Sequence, residues 1–346
     1  PKAKQIYYQS TEPGSINRGI YSIALSGKNK KGLATTEGTN EATFSPDFSL
    51  FINEYSSAQK PNFYTLNDSK TGKVVREILN NKELEQRVSQ YHIGKKEFFE
   101  LTTKNGNKLN AWMIKPANFD ENKKYPLFMC QYSGPGSQQV SNTWSGFDTF
   151  WYHMLAQKGY IILCVDGRGT GYKGADFKKC TYKQLGKYEL EDQIEVATIV
   201  GNYKYIDKDR IGIWGWSFGG FMASNCILRG EVFKMSIAVA PVTNWRFYDT
   251  VYTERYMQTP QENPEGYDNN SPLTYAKNLN KKFLLVHGTA DDNVHVQNSM
   301  RLIESLVQYN KTFDWAIYPD KNHGIYGGNT RRHLYEKLTN FVLNNL

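Results

Sequence analysis

The sequence predicts a doubly wound, mainly parallel α/β sheet of eight strands, preceded by a short all-β segment. Three observations lead there. From about Lys96 onward, strand-like apolar runs alternate with helix-like ones. Before residue 85 only short aromatic and β-branched runs occur, separated by Gly, Asn, Asp and Pro. Near the middle, Gly215-Trp-Ser217-Phe-Gly219 joins a strand-like run to a helix-like one. The expected division is therefore residues 1–85 and 86–346.

In the first segment, Gln5–Tyr8, Ile20–Leu25, Leu50–Tyr55 and Asn62–Leu66 alternate with period two, which predicts antiparallel hairpins. About 80 residues of this make little more than one four-stranded blade of a β-propeller, which closes only with about 4–8 blades. The segment is thus expected to be the C-terminal remnant of a propeller, with more sequence before Pro1. Lys82–Arg87 reads as a helical connector. The second segment offers strands at Glu97–Thr103, Leu109–Lys115, Leu127–Tyr132, Tyr160–Val165, Arg210–Trp214, Met235–Ala240, Phe283–His287 and Phe313–Tyr318. The first two form a hairpin across Lys104–Asn107. Helices are expected over Phe150–Lys158, Leu190–Tyr203, Gly219–Leu228, Asn298–Tyr309 and Arg331–Leu346. Leu302, Leu306 and Tyr309 form a buried stripe on the fourth of these.

The chain has 346 residues, 39% hydrophobic and 22% charged, which excludes a mainly disordered protein. The net charge of +8 is dispersed, with 12 Lys/Arg and 9 Asp/Glu in residues 1–90 and 30 and 25 beyond them. That dispersal argues against a nucleic-acid partner, which calls for a concentrated basic face. The longest apolar runs, such as Tyr160–Val165, are far too short to span a membrane. No two of Cys130, Cys164, Cys180 and Cys226 form a C-x-x-C pair, so neither a disulfide framework nor a metal site is expected. Cys130 and Cys164 lie in apolar strand-like runs, as small core residues do.

Chemistry enters with the G-x-S-x-G pattern. Small residues on both sides of Ser217 permit a tight, strained strand-to-helix turn that lifts the hydroxyl clear of the sheet. A serine nucleophile needs a base, and in this arrangement the chain order is Ser, acid, His. Among the later histidines, His333 lies inside the expected last helix, and His295 is only four residues past Asp291. His323, between the last strand and the last helix, is placed as a loop-borne base should be. The acid should follow the preceding strand, where Asp291 and Asp292 stand together, and spacing does not choose between them. Gly169-Thr-Gly171-Tyr-Lys-Gly174 also fits G-x-G-x-x-G. However, the residues after it make a poor packing helix and the next strand waits until Arg210, so no dinucleotide cofactor is expected.

Around these residues, Gly215–Gly220, Asp166–Tyr172, Leu190–Ile194, Val251–Met257 and His287–Val294 closely resemble the dipeptidyl peptidases of the prolyl oligopeptidase family. The resemblance covers about residues 90–346 and implies an α/β-hydrolase domain beneath a β-propeller. It implies a triad of Ser217, Asp291 and His323, since the first Asp of the Ala-Asp-Asp run is the family's acid. It also implies an oxyanion hole from the Tyr132 hydroxyl and the Phe218 amide. A proline-sized pocket would be lined by Phe218, Val242, Trp245, Tyr248, Tyr252 and Val294, with Asn293 binding the substrate carbonyl before the proline. Phe218 replaces a tyrosine often found there and keeps the ring.

The implied activity is release of Xaa-Pro or Xaa-Ala dipeptides from peptide N-termini, without metal or other cofactor. The implied partners are peptide substrates and a second copy in a homodimer, in a periplasmic, cell-surface or secreted setting. In these enzymes two propeller glutamates clamp the substrate's amino terminus, and no stretch of residues 1–85 matches that motif. The chain is therefore expected to carry the triad without its specificity clamp. Alternatives are an acylaminoacyl peptidase or endopeptidase of the same family, a non-catalytic interaction protein, and a lipid esterase. Val251–Met257 speaks against the first, and the retained Ser217, Asp291 and His323 against the second.

Overall fold

The computed structural model describes residues 4–91, 93–144 and 147–346. The chain divides into two compact units, one of residues 1–97 with 140–157 and the other of residues 98–139 with 158–346. The helical connector and the 140–157 segment thus group with the N-terminal strands, where the sequence had suggested a single cut after residue 85.

The first unit holds two antiparallel sheets. One is β1 (Gln5–Ser10), β2 (Gly19–Ala24) and β3 (Lys31–Ala34). The other is β4 (Thr39–Phe44), β5 (Leu50–Ser57), β6 (Lys60–Asp68) and β7 (Val74–Leu79). A four-stranded blade is therefore present, joined by a three-stranded sheet that sequence alternation alone resolves only in part. Ile20, Leu33 and Phe51 are buried together, with Tyr7 and Phe44 packed against them. Each such side chain, fully buried, contributes about 1.5–3 kcal/mol. A parallel bridge between Arg18 and Thr39, and the Asn40 amide donating to the Arg18 carbonyl at 2.9 Å, link the two sheets. The sequence reading leaves out β3, β4 and β7. All six residues of β7 are exposed, so no apolar face marks that edge strand. Helices α1 (Lys82–Ser89) and α2 (Phe147–Gln157) complete the unit.

The second unit is built on an eight-stranded sheet with the order β15-β14-β13-β12-β10-β11-β9-β8. The strands are β8 (Lys96–Thr102), β9 (Lys108–Ile114), β10 (Tyr125–Cys130), β11 (Ile161–Asp166), β12 (Ile206–Trp216), β13 (Met235–Val239), β14 (Lys282–Gly288) and β15 (Asp314–Tyr318). From β10 to β15 neighbours run parallel, and β9 pairs antiparallel with β11. Every residue of β10, β11 and β13 is buried, as strands covered on both faces must be. Cys130 and Cys164 are register partners within that buried layer.

The helices are α3 (Ala175–Lys179), α4 (Tyr188–Gly201), α5 (Phe218–Arg229), α6 (Thr250–Met257), α7 (Pro264–Asn269), α8 (Gln297–Gln308) and α9 (Thr330–Asn345). On α8 the expected stripe is corrected at one end. Leu302 and Leu306 are fully buried, but Tyr309 lies past the last turn and is 52% exposed. The 166–174 glycine run serves loop packing. Gly171 donates its N–H to the Ser137 carbonyl, and a Cβ on it would fall 2.7 Å from the Gly136 carbonyl. Among the described residues no helix is long and apolar enough to cross a membrane.

Candidate active site

The candidate residues stand just beyond the carboxyl ends of parallel strands, where open α/β sheets place their sites. Tyr132 follows β10, Ser217 follows β12, Asp291 follows β14 and His323 follows β15. Ser217 has φ 61° and ψ −119°, a conformation that a non-glycine residue adopts only under strain. The turn is held by the Ser217 N–H donating to the Val239 carbonyl at 2.8 Å and by α5 beginning at the next residue. Two flanking glycines are obligatory. A Cβ on Gly215 would meet the Gly219 backbone at 2.4 Å, and one on Gly219 would meet the Gln131 carbonyl at 2.6 Å.

His323 Nδ1 and Asp291 Oδ2 are 2.7 Å apart. Asp291 Oδ1 accepts the backbone N–H groups of Asn293 at 3.0 Å and Val294 at 2.9 Å. Burial alone would push the Asp291 carboxyl upward, but hydrogen bonds from His287 and His323 outweigh it and hold the group well below the usual carboxylate range. Asp292, the other candidate from the sequence, is exposed. His295 is exposed too, and His333 sits on α9 with its Nδ1 2.9 Å from the Tyr318 hydroxyl.

Tyr132 packs on Phe218 with ring centroids 6.0 Å apart, and its hydroxyl lies near the Ser217 side chain. Burial pushes this phenol above its ordinary range, so it is a neutral donor at neutral pH. A chain of buried amides brackets it. Gln131 Nε2 donates to the Gly219 carbonyl at 2.8 Å, the Ser133 hydroxyl donates to Gln131 Oε1 at 3.0 Å, and Gln193 Nε2 donates to the Val165 carbonyl at 3.1 Å.

Phe218, Val242, Trp245 and Val294 are buried, with Tyr248 and Tyr252 half-buried. Trp245 forms the centre of the ring cluster, 5.4 Å from Phe218, 5.8 Å from Tyr248 and 5.9 Å from Tyr252. Tyr248 donates its hydroxyl to Asn293 Oδ1 at 2.7 Å, which leaves the Asn293 amide N–H groups free to meet a ligand carbonyl. All the residues singled out by sequence thus fall in one unit, around the end of one sheet.

The sequence reading missed Gln131, Gln193, Trp216 and His287. His287, the first of the four histidines after Ser217, was visible in the His-Gly-Thr-Ala-Asp-Asp run but carried no signal of its own. Among the described residues no cluster of His, Cys, Asp or Glu could hold a metal ion.

This combination of a mainly parallel eight-stranded sheet and a serine on a strained strand-to-helix turn defines an α/β-hydrolase. The prolyl oligopeptidase family profile matches residues 146–346, and the chain belongs to that family. Residues 1–62 match the dipeptidyl peptidase IV N-terminal region. The probable dipeptidyl-aminopeptidase B of Phaeosphaeria nodorum is 39% identical over 350 residues, covering 99% of this chain and 38% of that protein. The Neurospora crassa protein of the same name is 40% identical over 347 residues, covering 98% of this chain and 37% of its own length. The crystal structure of Porphyromonas gingivalis dipeptidyl peptidase 4 superposes with a TM-score of 0.96 at 49% identity, over 99% of this chain and 48% of that one. The chain therefore spans less than half the length of these relatives.

Proposed function

We propose that the chain carries the acyl-transfer machinery of a serine peptidase that releases dipeptides from peptide N-termini. The observation that carries this reading is the 2.7 Å contact between His323 and Asp291, set at the same sheet end as the strained Ser217. In the proposed reaction, Ser217 Oγ attacks the carbonyl after the second residue while His323 Nε2 takes its proton. Asp291 keeps the His323 proton on Nδ1 and stabilises the imidazolium that forms. The Tyr132 hydroxyl and the Phe218 N–H donate to the oxyanion. His323 then protonates the departing amine, and water attacks the acyl-enzyme to free the acid and restore Ser217.

The rigid ring cluster around Trp245 suits a proline side chain, or the smaller alanine, at the second position. Asn293, oriented by Tyr248, would hold the carbonyl before it. Homodimer formation and a periplasmic, cell-surface or secreted setting are carried over from the family resemblance. The test is intact mass after fluorophosphonate treatment, for this chain and its Ser217→Ala variant, followed by hydrolysis of Gly-Pro-p-nitroanilide. One adduct on the parent, none on the variant, and dipeptide release support the reading. Absence of an adduct on the folded parent overturns it.

A further inference from the structure

His287 has no step in the reaction proposed above, yet its ring lies against the acid of the relay. It occupies the next-to-last position of β14, and its side chain is fully enclosed. Nδ1 is 2.6 Å from the Ser299 hydroxyl on α8, while Nε2 is 2.7 Å from the Val294 carbonyl oxygen and 3.2 Å from Asp291 Oδ2. Neither oxygen facing Nε2 carries a hydrogen at neutral pH, because one is a carbonyl and the other belongs to a carboxylate held ionised. Nε2 must therefore bear a ring hydrogen. The Asp291 carboxylate thus accepts two backbone N–H groups on Oδ1, and Oδ2 has two imidazole nitrogens within 3.2 Å.

We infer that His287 is a positioning residue for the relay: its Nε2–H, shared between the Val294 carbonyl and Asp291 Oδ2, fixes the carboxylate and disperses its charge, and so sets the basicity of His323. This rests on the reading of Asp291 and His323 as acid and base. His287 and His323 are the titratable groups bonded to Asp291, the Tyr248 phenol feels its charge from the facing loop, and Asp292 is exposed. Packing alone would account for the Ser299 and Val294 contacts. It would not require a hydrogen-bearing nitrogen to be turned on the carboxylate oxygen that His323 also uses.

The test first reads the proton and then removes it. In the parent chain at pH 7, 15N NMR of the imidazoles should show His287 with its hydrogen on Nε2. A bare Nε2 overturns the inference without any substitution. His287→Leu and His287→Gln are then compared through the pH dependence of fluorophosphonate labelling at Ser217. Without the donor, charge concentrates on Asp291 and favours the His323 imidazolium. The acid limb of His287→Leu should therefore rise by about 0.5–1 pH unit. Labelling below the limb should slow by up to about tenfold. Glutamine, whose amide N–H reaches the same oxygen, should return the limb toward the parent position. An unmoved limb in folded His287→Leu, or a glutamine variant that behaves like leucine, overturns the inference. Failure of the parent to label at any pH would instead overturn the acid–base reading, with the NMR arm still deciding the proton on His287.

Discussion

The indole N–H of Trp216 donates to the backbone carbonyl of His323 at 3.0 Å, so the residue before the elbow serine holds the loop that carries the candidate base. The same ring lies 5.1 Å beneath the Arg331 guanidinium at the start of α9. One side chain therefore ties together the elbow, the His323 loop and the last helix. The loop is held on either side as well, by the Ala290 N–H donating to the Lys321 carbonyl and the Ile325 N–H donating to the Asn322 carbonyl, each at 3.0 Å.

Trp216→Phe keeps a smaller ring beneath Arg331 and removes the N–H donor. A net hydrogen bond is worth about 1 kcal/mol, so the second-order rate of Ser217 labelling should fall about fivefold, with little change in Tm. Stopped-time mass spectrometry of the adduct measures it. An unchanged rate would mean that the loop is held by other contacts.

Tyr132→Phe should separate catalysis from packing. The ring keeps its place against Phe218, while the hydroxyl next to Ser217 is lost. Loss of one oxyanion donor costs about 10²–10³ in turnover, and thermal unfolding should match the parent. Steady-state hydrolysis of Gly-Pro-p-nitroanilide alongside calorimetry reads both quantities. A fall of less than about threefold would remove Tyr132 from the oxyanion site.

How much of this was legible in the sequence depended on whether a residue advertised its surroundings. The strands of the parallel sheet did, because β10, β11 and β13 are buried on both faces and read as unbroken apolar runs. The exposed edge strand β7 did not, nor did the short α6, which buries only Thr253 and Met257. At the site, Ser217 was marked by the glycines its backbone needs. Spacing left Asp291 and Asp292 equal, and only the resemblance favoured Asp291, the one that lies against His323. Gln131, Gln193 and His287 stayed hidden for a different reason. Their partners lie across the sheet or on later loops, and a buried polar residue shows its purpose only when those partners are in view.

Glu189, on the first turn of α4, makes the last prediction. Its side chain is wholly buried, Oε2 accepts the Gly186 N–H at 3.0 Å, and Oε1 has no hydrogen-bond partner among the described residues. Burial pushes its carboxyl up to about 8, against a partial offset from the backbone N–H groups of Glu189 and Gly186. The unfolded chain ionises near the ordinary value of 4.5, so between about pH 4.5 and 8 the native state binds the extra proton. Stability from this group is therefore full below pH 4.5 and is lost as pH rises through that window, the reverse of a salt-bridged acid. Glu189→Gln keeps the shape and an acceptor for Gly186 and removes the titration. Its Tm should equal or slightly trail the parent's at pH 5 and exceed it by several degrees at pH 8, a gain on the order of 1–3 kcal/mol. Calorimetry at the two pH values checks the sign. A gain that is the same at both would show that Glu189 is ionised in the native state throughout, held by a compensating charge.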